Sequence, residues 1–234
     1  MSDKDKILTL LTRYNLSLKN ATLWAMVGIG YLFTFRTAAT FFPFIYKNLW
    51  IFRILTVTAA LAGLLIALFY FVFYKLYRIP EGAVVAKSKN PLKVATVLVL
   101  SGVIAVVLLF IKTVFLGFRI YNFPFPDTWI FLQVLVPLIS GIFSLVFYLF
   151  FYKETVGKVS TRLAKAIFFA IIGSTLGIIL RLVYAIHYVF SETLMSMSEL
   201  MAKFSVPTIP IMIILFITSL YFLYRFNIEE KGKS

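Results

Sequence analysis

The chain has 234 residues, of which 62% are hydrophobic and 14% are charged, and it contains no cysteine. Soluble domains average about 45–50% apolar and about 25% charged residues, so this composition excludes an ordinary soluble fold and indicates an integral membrane protein. The lack of cysteine excludes disulfides, thiolate metal sites and thiol catalysis. The net charge of +14 comes from basic residues in short segments between apolar stretches. That pattern indicates topology determinants and contact with anionic lipid, not nucleic acid.

The N-terminal segment is polar for about twenty residues, so we predict an uncleaved first helix and no signal peptide. Within it, the apolar residues Ile7, Leu11, Tyr14 and Leu18 fall on one helical stripe. This spacing predicts a short helix that lies in the membrane interface.

Six apolar stretches follow, each long enough for a helix of about 20 residues that crosses a hydrocarbon core of roughly 30 Å. Single arginines interrupt two of them, Arg36 in the first and Arg181 in the fifth. Pro137 lies inside the fourth stretch, where a kink is expected. The predicted fold is all-α with six transmembrane helices, near residues 21–44, 49–76, 93–117, 128–152, 162–188 and 205–226.

The basic residues between the spans are unevenly distributed. If the N-terminus is cytoplasmic, the segments on that side hold most of the 23 Lys and Arg residues. The outer side keeps Arg36, Lys47, Arg53, Lys112, Arg119, Arg181 and Lys203. The bias predicts a multi-pass protein of the plasma or inner membrane with both termini in the cytoplasm. Its cytoplasmic basic loops are expected to contact anionic lipid.

The second and fourth spans resemble each other. Trp50-Ile51-Phe52 matches Trp129-Ile130-Phe131, Gly63 matches Gly141, and Phe69-Tyr70 matches Phe147-Tyr148. We interpret the chain as one membrane domain of three tandem two-helix hairpins, near 1–78, 79–155 and 156–227. The alternative is that aromatic belts and the positive-inside bias give unrelated helices the same pattern.

Basic side chains near the outer ends of the spans form the candidate site. Arg36, Arg53 and Arg181 lie roughly one helical turn inside the outer hydrocarbon edge, and Lys112 lies about at that edge. Arg119 and His187 fall just beyond it. A charge at the bilayer centre costs on the order of 2.5–3.5 kcal/mol. The predicted spans contain no Asp or Glu that would neutralise these charges.

These basic residues predict a cluster that faces the bundle interior and holds an anion, such as a phosphate, a carboxylate or a lipid headgroup. Arg36, Lys112 and Arg181 would clamp the ligand, with Arg53 in support. One alternative is that each side chain extends separately to headgroup phosphates. Another is pairing within the chain, as between Arg119 and Asp127 or Arg181 and Glu192.

Recognisable catalytic patterns are absent from the sequence, which has one histidine and no P-loop, nucleophile elbow or HExxH motif. We therefore expect no enzyme, no metal site and no cofactor. The first expected function is binding of an anionic small molecule or lipid headgroup near the outer face, in a small transporter or channel-like conduit. The second is a non-catalytic accessory or assembly subunit of a larger membrane complex. Its small-residue faces would then meet other membrane proteins or further copies of the chain.

Overall fold

A computed structural model describes residues 17–41, 49–76, 91–116, 127–157, 161–189 and 206–231. The helices in these ranges are α1 (Leu18–Phe41), α2 (Leu49–Leu76), α3 (Pro91–Leu116), α4 (Asp127–Thr155), α5 (Thr161–Val189) and α6 (Val206–Lys231). The prediction of an all-α chain is confirmed over this part of the molecule, and each predicted span coincides with one helix to within five residues at either end. The predicted interfacial helix before α1 lies outside the described residues.

Five of the helices are long and apolar enough to cross a membrane. These stretches are Arg53–Leu76, Pro91–Val114, Val134–Thr155, Thr161–Val183 and Thr208–Arg225. Helix α1 has 24 residues but is not among them, and Lys19, Asn20 and Thr22 make its first turns polar. The chain thus has the helices of a multi-pass membrane protein, while the sixth crossing, by α1, stays a prediction.

Local signals set several helix ends. The Ser17 hydroxyl accepts a hydrogen bond from the Asn20 backbone N–H at 3.2 Å, which caps α1. Helix α3 begins at Pro91, a residue suited to the first helical position because its missing N–H has no partner there. Just after α4, Gly157 has a φ of 74°, which glycine adopts without strain.

The helices form a closed ring. Each packs against its neighbours in the chain, and α6 returns to pack against α1. At this closing contact the Lys19 ammonium lies 5.3 Å from the centroid of the Tyr224 ring, a cation–π geometry. Ala21 and Ala25 of α1 belong to the same buried cluster as Leu220 of α6, so small side chains let the first and last helices approach closely.

Aromatic side chains fill the interior of the ring at one end. We call this cluster the aromatic core: Phe69, Tyr70 and Phe73 of α2 with Phe147, Tyr148 and Phe151 of α4. Phe147 is fully buried, and its ring centroid lies 5.1 Å from that of Tyr70 and 5.2 Å from that of Phe73, both in T-shaped contacts. Tyr148 also contacts Phe216 of α6, 6.0 Å away. Helices α2, α4 and α6 therefore meet across the interior.

The residues that align between the second and fourth spans are thus in mutual contact at one level of the bundle. Phe69-Tyr70 and Phe147-Tyr148 both lie in the aromatic core. Contact of this kind fits two related hairpins, but it would also follow from two unrelated helices with aromatic ends. The repeat therefore stays a prediction.

The two ends of the bundle differ in charge. The aromatic core lies at the end formed by the start of α1, α3 and α5 and the finish of α2, α4 and α6. Basic side chains there are exposed or half-buried; we call it the basic end, and its cations are Lys19, Lys75, Lys93, Lys153, Arg162, Lys165 and Arg225. The described basic side chains toward the opposite end are Arg53, Lys112 and Arg181.

Glycines allow the neighbouring helices to approach. A Cβ on Gly28 would lie 2.6 Å from the backbone oxygen of Ala62, and one on Gly63 would lie 2.6 Å from Val107. Gly102, Gly141, Gly173 and Gly177 have similarly close neighbours on the next helix. Gly28, Gly63, Gly173 and Gly177 therefore lie where neighbouring helices of the chain pack against each other. Gly30 differs, because no described atom lies within 4 Å of its Cβ position.

Gly28→Ala is expected to destabilise the protein, and Gly30→Ala is its matched control on the same helix. At Gly28 the new methyl group meets a backbone oxygen that cannot move aside, so we expect a loss of about 1–3 kcal/mol. At Gly30 the methyl group meets open space, and the better helix propensity of alanine adds up to about 1 kcal/mol. Thermal unfolding in detergent measures both, and equal shifts of the two variants would contradict the ring packing.

Candidate functional site

The structure describes the side chains of three of the six candidate residues, Arg53, Lys112 and Arg181. Arg36 and His187 are positions on α1 and α5 whose side chains lie outside the described residues, and Arg119 lies outside them entirely. The predicted convergence of Arg36, Lys112 and Arg181 therefore stays a prediction.

Lys112 is an exposed residue of α3, and the adjacent Ile111 and the preceding-turn Leu108 are exposed as well. This side of α3 is the outer face of the ring. The placement fits an ammonium group that extends to lipid headgroups along the helix surface.

Arg53 lies inside the wall of the bundle. It is only 7% exposed, and it precedes the buried Ala60 and Ala67 by one and two heptads. Residues at this spacing share one face of a packed helix. The guanidinium carbon lies 5.6 Å from the centroid of the Trp50 ring, which is a cation–π contact.

Arg181 reaches from α5 to the backbone of α4. Its Nη1 donates a hydrogen bond to the carbonyl oxygen of Pro137. The same nitrogen lies 2.7 Å from the position that a Cβ on Gly141 would occupy. The missing side chain at Gly141 is therefore what lets the guanidinium lie against α4. Arg181 is half-buried, and Glu192, its predicted pairing partner, lies outside the described residues.

Pro137, Gly141, Ser144 and Tyr148 follow one another on α4 at steps of three or four residues; we call them the α4 stripe. Residues at these steps share one helix face. The exposed residues Ile139, Ile142 and Leu149 lie on the other side. Because Tyr148 meets Tyr70 of α2 and Phe216 of α6, the stripe faces the interior of the ring.

Three hydroxyl groups meet at the border of the aromatic core that faces away from the basic end. The Tyr70 hydroxyl is hydrogen-bonded to the hydroxyls of Tyr148 and Ser144; we call these three residues the hydroxyl cluster. Both tyrosine rings are buried, while Ser144 is half-buried although it lies on the inward face. The interior beside Ser144 is therefore less filled than the aromatic core below it.

Sequence reasoning found Arg181 but not the hydroxyl cluster or the role of Gly141. A signal was present, since Ser144 and Tyr148 follow Gly141 at helical spacing and Tyr70 occupies the aligned position of the second span. Hydroxyl groups in apolar spans are common, however, and only the contact across the ring distinguishes these three from the many others.

Polar groups of two helices meet at the α4 stripe. The Arg181 guanidinium of α5 only donates hydrogen bonds, whereas the hydroxyls of Ser144 and Tyr148 both donate and accept. Among the described residues no group of three or more His, Cys, Asp or Glu side chains could hold a metal ion. No protein-family model matches the chain, and no curated protein or solved structure is significantly similar to it. The function is therefore inferred from the residues themselves.

Arg181→Met is expected to leave the ligand-free protein as stable as the native chain, or more stable. Removing the half-buried cation relieves its partial desolvation, and the Pro137 carbonyl keeps its helical partner, the Gly141 N–H. Thermal unfolding in detergent measures this, with the exposed Arg162→Met as control. A loss of about 1.5–3 kcal/mol, the worth of a hydrogen bond to a charged group, would instead make Arg181 a structural residue.

Proposed function

We propose that the chain is a six-span membrane protein with both termini in the cytoplasm, and that it binds a small anion or an anionic lipid headgroup in the outer half of its bundle. The observation that carries this proposal is the position of Arg181, whose guanidinium lies on the inward-facing α4 stripe. A small transporter or channel-like conduit is the form of activity that such a site fits.

The orientation follows from the basic end. Exposed or half-buried lysines and arginines gather at the ends of all six helices on that side, and the positive-inside rule assigns such an end to the cytoplasm. Arg181 and Arg53 then lie toward the outer face, in the plasma or inner membrane. Their positions on this side run against the rule, which supports a role for them other than topology.

Charge within the helices favours an anionic ligand. Arg53 and Arg181 bring two positive charges into the wall and the interior of the bundle. Helices α1, α2, α3 and α5 contain no Asp or Glu, and the acids of α4 and α6 lie near their ends. A low-dielectric interior with net positive charge concentrates field lines and attracts anions. Lys112, Arg36, Arg119 and His187 are further candidates to guide the ligand from the outer face.

The aromatic core closes the proposed site toward the basic end and leaves access from the outer side. It fills the interior at the basic end, so a ligand held by Arg181 arrives from the outer side. Transport would require the ring contacts among α2, α4 and α6 to separate, as in alternating access. Binding at Arg181 is thus the primary proposal, and transport is its extension.

The accessory-subunit alternative receives less support. It was motivated by small-residue faces that a partner could cover. Gly28, Gly63, Gly173 and Gly177 are instead covered by helices of the same chain. The exposed apolar residues on the outside of the ring, such as Ile54 and Leu108, need only lipid.

Anion-dependent thermal stabilisation of the purified protein tests the proposal. Inorganic phosphate, sulfate, acetate and citrate serve as probes, because a ligand that binds the folded state raises its melting temperature. We expect at least one probe to stabilise the native chain and Arg181→Gln to weaken that response by about tenfold or more in affinity, equivalent to about 1.4 kcal/mol. Arg162→Gln, an exposed cation at the basic end, is the control.

The proposal fails if the combined substitution of Arg36, Lys112 and Arg181 by glutamine leaves both the anion response and anion flux into proteoliposomes unchanged. Native mass spectrometry after gentle solubilisation gives the second decision. A monomer or homo-oligomer that binds anion supports the proposal, and a stoichiometric complex with another membrane protein and no anion response would favour the accessory role.

A further inference from the structure

We infer that the hydroxyls one helical turn below Arg181 form the inner half of the same site, and that the ligand is a tetrahedral oxyanion of the phosphate type, either free or as a lipid phosphate. The inference rests on the proposed function, because Arg181 supplies the charge. It adds the residues that complete the site and the class of ligand they select.

The register between α4 and α5 determines the depth at which Ser144 and Ser174 lie along the bundle. The Cβ position of Gly141 lies 3.3 Å from Cγ1 of Ile178, which fixes where the two helices meet. The helices are antiparallel, so one turn toward the basic end leads from Gly141 to Ser144 on α4 and from Ile178 to Ser174 on α5. One turn is about 5.4 Å. Both serines therefore lie about one turn below the Arg181 guanidinium.

The Ser174 hydroxyl is the first polar group that indicates a bound ligand. Its residue is 4% exposed, and its oxygen has no hydrogen-bond partner among the described residues. The buried threonines Thr22, Thr96 and Thr155 behave differently, since each donates to the carbonyl four residues before it. A buried hydroxyl without a hydrogen-bond partner destabilises the folded state. Such a group in a folded protein points to a ligand or a water molecule as its partner.

The hydroxyl cluster is the second sign. Tyr70, Tyr148 and Ser144 carry three hydroxyl protons, and the two hydrogen bonds that join them use two. Whatever the direction of each bond, these two hydrogen bonds leave one of the three protons for a further acceptor. The cluster therefore offers a donor at the same level as Ser174.

The geometry of these donors selects the shape of the ligand. The guanidinium stands above and the hydroxyls below, about one turn apart. A carboxylate has two coplanar oxygens, which a guanidinium can hold in a bidentate pair without help from below. The four oxygens of a phosphate point to the corners of a tetrahedron, so some can accept from Arg181 while others accept from Ser144 and Ser174.

Binding of inorganic phosphate and of acetate to the full chain in neutral detergent tests the inference by calorimetry. We expect Ser174→Ala and Ser144→Ala each to weaken phosphate binding about tenfold, the effect of losing one hydrogen bond to a charged group. Acetate binding should change less than twofold. Thr175→Ala is the matched control, because Thr175 is exposed and its hydroxyl already donates to the Ile171 carbonyl. Should either alanine variant unfold, Tyr148→Phe, with Tyr152→Phe as its control, makes the same comparison.

The outcomes separate this inference from the proposed function. If Arg181→Gln abolishes binding of both anions while the serine variants affect neither, or both equally, the hydroxyl site is wrong and the anion function stands. The same holds if the native chain binds acetate but not phosphate. If Arg181→Gln leaves phosphate binding intact, the site built on Arg181 and the hydroxyls is wrong, and the combined substitution of Arg36, Lys112 and Arg181 then decides on the anion function.

A lipid arm identifies the source of the phosphate. The native chain and the two serine variants are compared in nanodiscs of phosphatidylcholine with and without phosphatidic acid. Stabilisation by phosphatidic acid that the serine substitutions remove assigns the site to a lipid phosphate. Phosphate binding in pure phosphatidylcholine with no response to phosphatidic acid assigns it to the free anion. A response to phosphatidic acid that persists in both serine variants would contradict the hydroxyl site.

Discussion

The bundle depends on how closely its helices can approach, because lipid supplies no hydrophobic force that drives one apolar helix against another. Contact must come from packing, and the glycines provide it: Gly28 meets the α2 backbone, Gly63 meets α3, and Gly177 meets α6. Glycine contacts of this kind join neighbouring helices from α1 to α6, and Ala21 and Ala25 belong to the buried cluster where α6 returns to α1 and closes the ring. The aromatic core then fills the interior at one end, where T-shaped ring contacts join helices that are not neighbours in the chain.

A glycine also makes room for the candidate site. At Gly141 the neighbouring helix contributes both an apolar side chain, Ile178, and the guanidinium of Arg181. A charge is thus brought onto the inward face at a position whose neighbours Ser144 and Tyr148 are also polar. Packing and function are coupled at this residue, because any side chain at Gly141 would move Arg181 away from the α4 backbone. Arg53 adds a second positive charge, and its guanidinium lies over the Trp50 ring in the wall of the bundle.

Helix positions could be predicted from the sequence because membrane-spanning helices need long apolar stretches. The short polar segments between these stretches mark where each helix ends. Glycines within apolar spans favour close helix packing in general, and Gly28 and Gly63 do pack against the next helix. The neighbours of Gly30 could not be predicted, since two glycines two residues apart look equivalent until the partner helix is placed. The contact of Arg181 could not be predicted either. Hydropathy gives the position of Arg181 along the membrane normal, but only the register of α4 against α5 shows that its guanidinium donates to the Pro137 carbonyl. The hydroxyl cluster depends on three residues of two helices, which sequence spacing alone does not bring together.

Accessibility of single cysteines from the outside tests the central claim most directly, namely that the α4 stripe faces a polar interior open to the outer face. The native chain has no cysteine, so Ser144→Cys and Ile142→Cys can each be probed alone with a membrane-impermeant maleimide. Ile142 is exposed on the lipid side and Ser144 faces inward. We predict that the reagent added outside intact cells modifies the thiol at Ser144 and that the thiol at Ile142 stays unmodified. Modification at Ile142 with none at Ser144 would contradict the account.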